Sequence, residues 1–82
     1  MTSDKPAEER VKAAVARVFH KEITELSRDI RFREDLLAKS VNVVELTAIL
    51  EYEFNIEIPR KRARLAATIG DVIDLIEDLL TK

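Results

Sequence analysis

The segment Ser40-Val41-Asn42-Val43-Val44-Glu45-Leu46-Thr47-Ala48-Ile49-Leu50-Glu51-Tyr52-Glu53-Phe54 settles the architecture. Val43, Leu46, Thr47, Leu50 and Phe54 recur at three- and four-residue steps, which puts them on one face of a helix. Ser40 stands just ahead of that stripe as an N-cap, where its hydroxyl accepts from an otherwise free backbone N–H. Asn55 tolerates the left-handed conformation and closes the helix. Ile56 and Ile58 lead into Pro59, which favours an extended residue before it and a fresh start after it.

Working toward the N-terminus, residues 24–39 hold Leu26, Ile30, Phe32, Leu36 and Leu37 without a sustained period. They read as a long connection pinned by those apolar side chains, with room for one short helical turn. Such a loop in a small domain is more often functional than idle. Before it, Val11, Ala14, Val15, Val18 and Phe19 mark a first helix that fades around His20 to Ile23. Ser3 or Asp4 caps it, and Pro6 sits in its first turn. Beyond Pro59 a short helix spans about Arg60 to Leu65. The last helix opens at Thr68-Ile69-Gly70-Asp71, where Thr68 and Asp71 have capping-box spacing, with Asp in place of the usual Glu or Gln. Val72, Ile76 and Leu79 form its stripe, flanked by Ile73, Leu75 and Leu80. The predicted core is Phe19, Phe32, Leu46, Leu50, Phe54, Ile58, Ile69, Val72 and Ile76. Three longer helices, a short third one and a long loop between the first and second predict an all-α antiparallel four-helix bundle.

Composition supports this reading and narrows the chemistry. A chain of 82 residues with 46% hydrophobic content has material for one core, so residues 1–82 read as a single domain, with 1–5 flexible. One Gly and two Pro count against a turn-rich β fold. A net charge of −2 dictates neither a nucleic-acid nor a membrane partner. Without cysteine there are no disulfides, no thiolate metal sites and no cysteine nucleophile, so any thiol chemistry must come from an added group. Met1-Thr2-Ser3-Asp4 has no apolar segment behind it and is not a secretory signal, and no run of residues spans a membrane. A cytoplasmic monomer follows as the expectation. His20, the only histidine, lacks companions for a metal site and reads as a surface residue near a helix C-terminus. Asp71, Asp74, Glu77 and Asp78 read as the solvated face of the last helix, and Tyr52 as a half-exposed aromatic. No carboxylate pair or nucleophile–base pair supports an enzyme.

The run Phe32-Arg33-Glu34-Asp35-Leu36-Leu37-Ala38-Lys39-Ser40 resembles the attachment region of acyl carrier proteins. The likeness continues through Val44-Glu45-Leu46, Leu50-Glu51, Glu53-Phe54, Ile56-Glu57-Ile58-Pro59 and Ala67-Thr68-Ile69-Gly70-Asp71-Val72, from about Val11 to Leu79. Each piece is weak, but their order and spacing together are specific. The resemblance implies a non-catalytic four-helix carrier domain. In that family a phosphopantetheinyl transferase moves 4'-phosphopantetheine from coenzyme A onto a serine at the start of helix two. The thiol of that arm then carries acyl groups as thioesters between acyl-transferring and acyl-modifying enzymes. By position the serine is Ser40, and a phosphodiester there meets the unpaired N–H groups and positive end of a helix dipole. The alternative is an unmodified carrier-like fold acting as a protein-binding or regulatory module.

The departures are local. The family pattern around the serine is Asp-Ser-Leu preceded by Gly-Ala, whereas this chain reads Leu37-Ala38-Lys39-Ser40-Val41. Lys39 reverses the charge beside the attachment point and is the one feature favouring the unmodified alternative. Family members present acidic second and third helices to their enzymes. Here Glu45, Glu51 and Glu53 remain, but Arg60, Lys61, Arg62 and Arg64 follow. Oppositely placed charge excludes partners built for an acidic carrier, which predicts a specialised partner set. Val41, Val44 and Ala48 lie off the core stripe and match the apolar strip that contacts partner enzymes. The basic run is short and lacks interleaved aromatics, so it does not read as a nucleic-acid site.

Overall fold

The computed structural model describes residues 6–81. The expected flexibility of 1–5 and the expected caps Ser3 and Asp4 lie outside the described residues.

The first helix, α1 (Ala7–Phe19), buries Val11, Ala14, Val15 and Val18, one stripe at helical spacing. Pro6 is its N-cap and not a first-turn residue: its extended backbone points the carbonyl at the N–H groups of Glu9 and Arg10, 3.1 and 3.3 Å away. Glu8 and Glu9 near the start and Arg17 near the end match the helix dipole. His20 ends the helix in the left-handed region (φ 58°), and its N–H and that of Lys21 both donate to the Ala16 carbonyl. Its backbone thus terminates α1, a role the sequence reading did not give it. Phe19, expected in the core, is only partly buried, with its ring centroid 6.2 Å from that of Phe32.

The connection between α1 and α2 (Ser40–Phe54) contains one 3-10 turn, Ile23–Glu25. Leu26 and Phe32 are buried, and Ile30 and Leu36 are partly so. Leu37 departs from this set: it is 74% exposed and adopts φ 54°, because the turn that buries its neighbour leaves its own side chain outside. The loop is fastened to the head of α4 (Ile69–Leu80) by an antiparallel bridge between Arg31 and Thr68. Phe32 N–H donates to Ala67 O at 3.0 Å, Ile69 N–H to Ile30 O at 3.0 Å and Gly70 N–H to Arg28 O at 2.9 Å. Glycine suits the last contact, since a Cβ on Gly70 would stand 3.1 Å from the Arg28 carbonyl oxygen and the loop would have to give by a few tenths of an ångström. The Arg28 guanidinium then reaches Glu8 of α1 at 3.3 Å and Asp74 of α4 at 2.6 Å, so one side chain ties three segments together.

Helix α2 buries Leu46, Leu50 and Phe54. Val43 and Thr47, assigned to the same face, sit at its rim: Val43 is 37% exposed because the first turn of α2 projects past the end of the core. Asn55 closes the helix with φ 54°, as its residue type predicts. Arg10 of α1 lies 4.2 Å over the Phe54 ring and also bonds the Glu53 carboxylate and carbonyl, at 3.1 and 2.9 Å. Helix α3 (Arg60–Leu65) has no fully buried residue and rests on the core through Ala63 and Ala66.

At the start of α4 the capping box forms as the spacing predicts. Asp71 N–H donates to Thr68 Oγ1 at 3.1 Å, and Thr68 N–H donates to Asp71 Oδ2 at 3.1 Å. The buried line of α4 is Ile69, Ile73 and Ile76, with Val72 and Leu75 beside it. Leu79 is only partly buried and Leu80 is 46% exposed. The stripe read from sequence is therefore rotated toward Ile73, because a helix packed on α1 along one side and on the loop along another buries a wide arc. The acidic face of α4 is not merely solvated: Asp71 caps, Asp74 binds Arg28 and Asp78 binds Arg62.

Candidate functional site

The head of α2 differs from the expected capping arrangement in a way that matters for its chemistry. Lys39 occupies the N-cap in an extended conformation (φ −111°, ψ 169°) and makes no side-chain cap bond, because an ammonium has no lone pair to offer. Its carbonyl accepts from Asn42 and Val43 N–H at 2.9 and 3.1 Å, and Asn42 Oδ1 accepts from Lys39 N–H at 2.8 Å. Ser40 is thus the first residue of the helix and not its cap. Its side chain is exposed, and among the described residues no hydrogen bond uses its hydroxyl. The N–H groups of Ser40 and Val41 likewise have no partner among the described residues.

This geometry fits a phosphopantetheine attachment. Esterifying Ser40 Oγ disrupts no structural hydrogen bond, and the phosphodiester would lie beside free N–H groups at the positive end of a 15-residue helix. That interaction is worth about 0.3–1 kcal/mol at an exposed position, enough to bias the arm's direction without holding it still. When bound, the group supplies the thiol that this cysteine-free chain lacks. Among the described residues no basic side chain is hydrogen-bonded to the Ser40 hydroxyl. Carboxylates with displaced ionisation are engaged elsewhere: Asp35 is held below its usual value by hydrogen bonds from the Arg31 side chain and backbone, and Asp71 by the Ala67 N–H. Among the described residues no group of three His or acidic side chains is placed to hold a metal ion. No helix there is long and apolar enough to cross a membrane.

Around Ser40 the predicted contact residues divide. Val41 and Val44 are 67% and 68% exposed, and Glu45 and Ala48 are exposed on the same side of α2. Lys39 is exposed beside them. Glu51 is different: half-buried, its Oε2 accepts the Ile58 N–H at 2.8 Å and braces the turn between α2 and α3. Arg62 also turns inward, with Nη2 2.9 Å from Asp78 Oδ2, and so ties α3 to α4. Arg60, Lys61 and Arg64 are exposed with no ion pair among the described residues. Tyr52, expected to be half-exposed, is 90% exposed. The sequence reading missed the brace and the tie; an acidic residue near a helix C-terminus, disfavoured by the dipole, was the available signal at Glu51.

Comparison with known proteins agrees with this architecture. The family described as "Phosphopantetheine attachment site" matches residues 9–76. The chain is 44% identical over 69 residues to an acyl carrier protein of Sulfurovum sp. (strain NBC37-1), covering 84% of this chain and 92% of that one. It is 39% identical over 70 residues to an acyl carrier protein of Helicobacter pylori (strain J99), covering 85% and 90%. A solved structure of the acyl carrier protein from Enterococcus faecalis superposes with a TM-score of 0.75 at 27% identity, covering 89% of this chain and 92% of that one. The fold and the phosphopantetheine cofactor follow together: this chain belongs to the acyl carrier protein family, whose members are non-catalytic carriers, and serves as an acyl carrier.

Proposed function

We propose that Ser40 carries the 4'-phosphopantetheine arm, and that the chain is one carrier domain over 1–82 acting as a monomer in a specialised acyl pathway. The observation that carries this reading is the exposed hydroxyl at the first turn of α2, which the fold does not use. In the transfer, Ser40 Oγ forms a bond to the phosphorus bearing pantetheine as that phosphorus loses its pyrophosphate oxygen. The nucleotide half of coenzyme A departs, and the serine proton passes to a base supplied by the phosphopantetheinyl transferase. The cytoplasm, where coenzyme A is available, is the proposed site of action.

Acyl-transferring and acyl-modifying enzymes then read Lys39, Val41, Val44, Glu45 and Ala48 beside the arm. Arg60, Lys61 and Arg64 of α3 admit partners with acidic patches and disfavour those built for acidic carriers. Glu51 and Arg62 support that surface indirectly, through the brace and the tie. Fatty-acid synthesis, lipid modification and polyketide-type assembly all use carriers of this kind. The basic α3 argues for one of the specialised routes.

The test is intact mass after incubation with coenzyme A and a broad-specificity phosphopantetheinyl transferase. One phosphopantetheine should add to the wild-type chain and none to Ser40→Ala. No adduct with several transferases, or an adduct that persists in Ser40→Ala, would reject the assignment; the first result would favour an unmodified binding module.

A further inference from the structure

We infer that Lys39 is a positioning residue for the cofactor arm: its ammonium pairs with the phosphodiester on Ser40 and restrains the root of the phosphopantetheine chain. The inference rests on the Ser40 reading and adds to it a side chain that the family pattern does not supply. The head of α2 carries uncompensated positive charge. The first turns of α1 and α4 hold acidic residues, Glu8 and Glu9 in one and Asp71 in the other, which suit the positive end of a helix. The first turn of α2 holds none, and a lysine stands at its N-cap, where a cation is disfavoured. Lys39 is exposed and makes no ion pair among the described residues, and Asp35 upstream is already engaged by Arg31 at 3.2 Å. Its backbone, by contrast, is fixed: the N–H donates to Asn42 Oδ1 at 2.8 Å, and the carbonyl accepts from Asn42 and Val43 N–H at 2.9 and 3.1 Å. The lysine stem therefore starts from a set place while its charge is left to solvent.

A phosphodiester supplies the charge that this arrangement lacks. It stays singly negative at physiological pH, and its bond to Ser40 Oγ puts it beside Lys39 without recruitment from solution. Consecutive Cα atoms are about 3.8 Å apart, a gap that the four-carbon lysine stem spans, and the ammonium offers three donors that turn freely. The Ser40 and Val41 N–H groups, without partners among the described residues, are open to the same oxygens. An exposed ion pair of this kind favours the closed arrangement by about 1.5- to 5-fold. The two residues are chain neighbours, so the pair is open to the unfolded chain as well; its signature is the mobility of the arm and not stability. The aspartate of the family pattern would repel the phosphodiester from the same place, so the charge reversal at Lys39 changes how the arm leaves the domain.

The experiment is phosphorus-31 NMR on the modified full chain with a free thiol, as wild type, Lys39→Arg, Lys39→Gln and Lys39→Asp. Amide spectra of the unmodified chains check that Asn42 and Val43 keep the cap. Phosphorus relaxation at low salt should show the slowest local motion in wild type and Lys39→Arg, faster motion in Lys39→Gln and the fastest in Lys39→Asp. Raising salt to 1 M, where the Debye length is about 3 Å, should bring wild type to the Lys39→Gln value. Wild type matching Lys39→Asp at low salt, Lys39→Arg behaving as Lys39→Gln, or a difference that 1 M salt leaves unchanged overturns the pairing and leaves the Ser40 assignment standing. A wild-type chain that accepts no arm removes the Ser40 assignment, and this inference with it.

Discussion

Glu51 gives the sharpest test of how this fold uses its charges. Its carboxylate is the acceptor for the part-buried Ile58 N–H, at 2.8 Å, and Ile58 itself is buried. Removing the acceptor leaves that N–H unsatisfied, which costs about 1–3 kcal/mol. Two smaller effects run the other way: alanine is a slightly better helix former, and loss of a negative charge near a helix C-terminus is worth about 0.3–1 kcal/mol. The net expectation for Glu51→Ala is a loss of about 1–2 kcal/mol. For a domain of this size that lowers Tm by about 4–8 °C per kcal/mol. Glu51→Gln keeps an oxygen acceptor and removes the unfavourable charge, so it should lose less than half as much. Urea unfolding followed by far-UV circular dichroism gives both values, and hydrogen exchange at the Ile58 amide locates the change. If Glu51→Ala unfolds at the wild-type urea midpoint, or Glu51→Gln falls as far as Glu51→Ala, the brace does not work as described.

Three other outcomes follow from the same geometry. Asp71 is held below its unfolded value of 3.8, chiefly by the Ala67 N–H, so it contributes stability above the unfolded value that is lost as pH falls through the folded one. The Tm difference between wild type and Asp71→Asn should therefore shrink steadily below that pH, and a constant difference across an acid titration would count against the box. Gly70→Ala gains about 1 kcal/mol of helix propensity but places a Cβ 3.1 Å from the Arg28 carbonyl oxygen, which the bridge holds in place. A lower Tm is expected in thermal melts, and a higher one would mean that the loop yields freely. Replacing Arg60, Lys61 and Arg64 with glutamate, leaving Arg62 on Asp78, should speed acylation of the modified carrier by a standard fatty-acid synthase; unchanged rates would count against charge-based partner choice.

The helical periods of α1 and α2, the bounds of α3 and the Thr68–Asp71 box were legible because each rests on interactions within one turn or one stripe. Less was legible wherever a residue's role depends on a segment far along the chain. Ile73 is central in α4 only because the loop bridge fixes how the helix is turned against α1. Arg28 and Gly70 look unremarkable in sequence and meet only when residues 28 and 70 are brought together. Leu37 looked like a core anchor because its residue type is apolar, and periodicity carries no information about the sign of φ. At Ser40 a general preference misled: serine favours the N-cap, but the extended backbone of Lys39 and the reciprocal bond from Asn42 start the helix one residue earlier.

That one-residue shift has a consequence for a carrier. A serine serving as N-cap contributes its oxygen to a backbone N–H, worth about 1 kcal/mol, and modification would then crowd a bond the helix relies on. At the first helical position Ser40 holds no such bond, and the cap region is secured by the Lys39 carbonyl and the Asn42 amide. Folding and modification are therefore separable, and the modified carrier should differ in stability from the unmodified one only by the about 0.3–1 kcal/mol that a phosphodiester gains at a helix N-terminus. The charges divide along the same line. Arg10, Arg28, Arg62 and Glu51 bind partners within the fold, whereas Lys39, Glu45, Arg60, Lys61 and Arg64 make no ion pair among the described residues. The second group lies beside Ser40 or along α3, where substitutions should have little effect on folding, and the first group is where the fold is vulnerable.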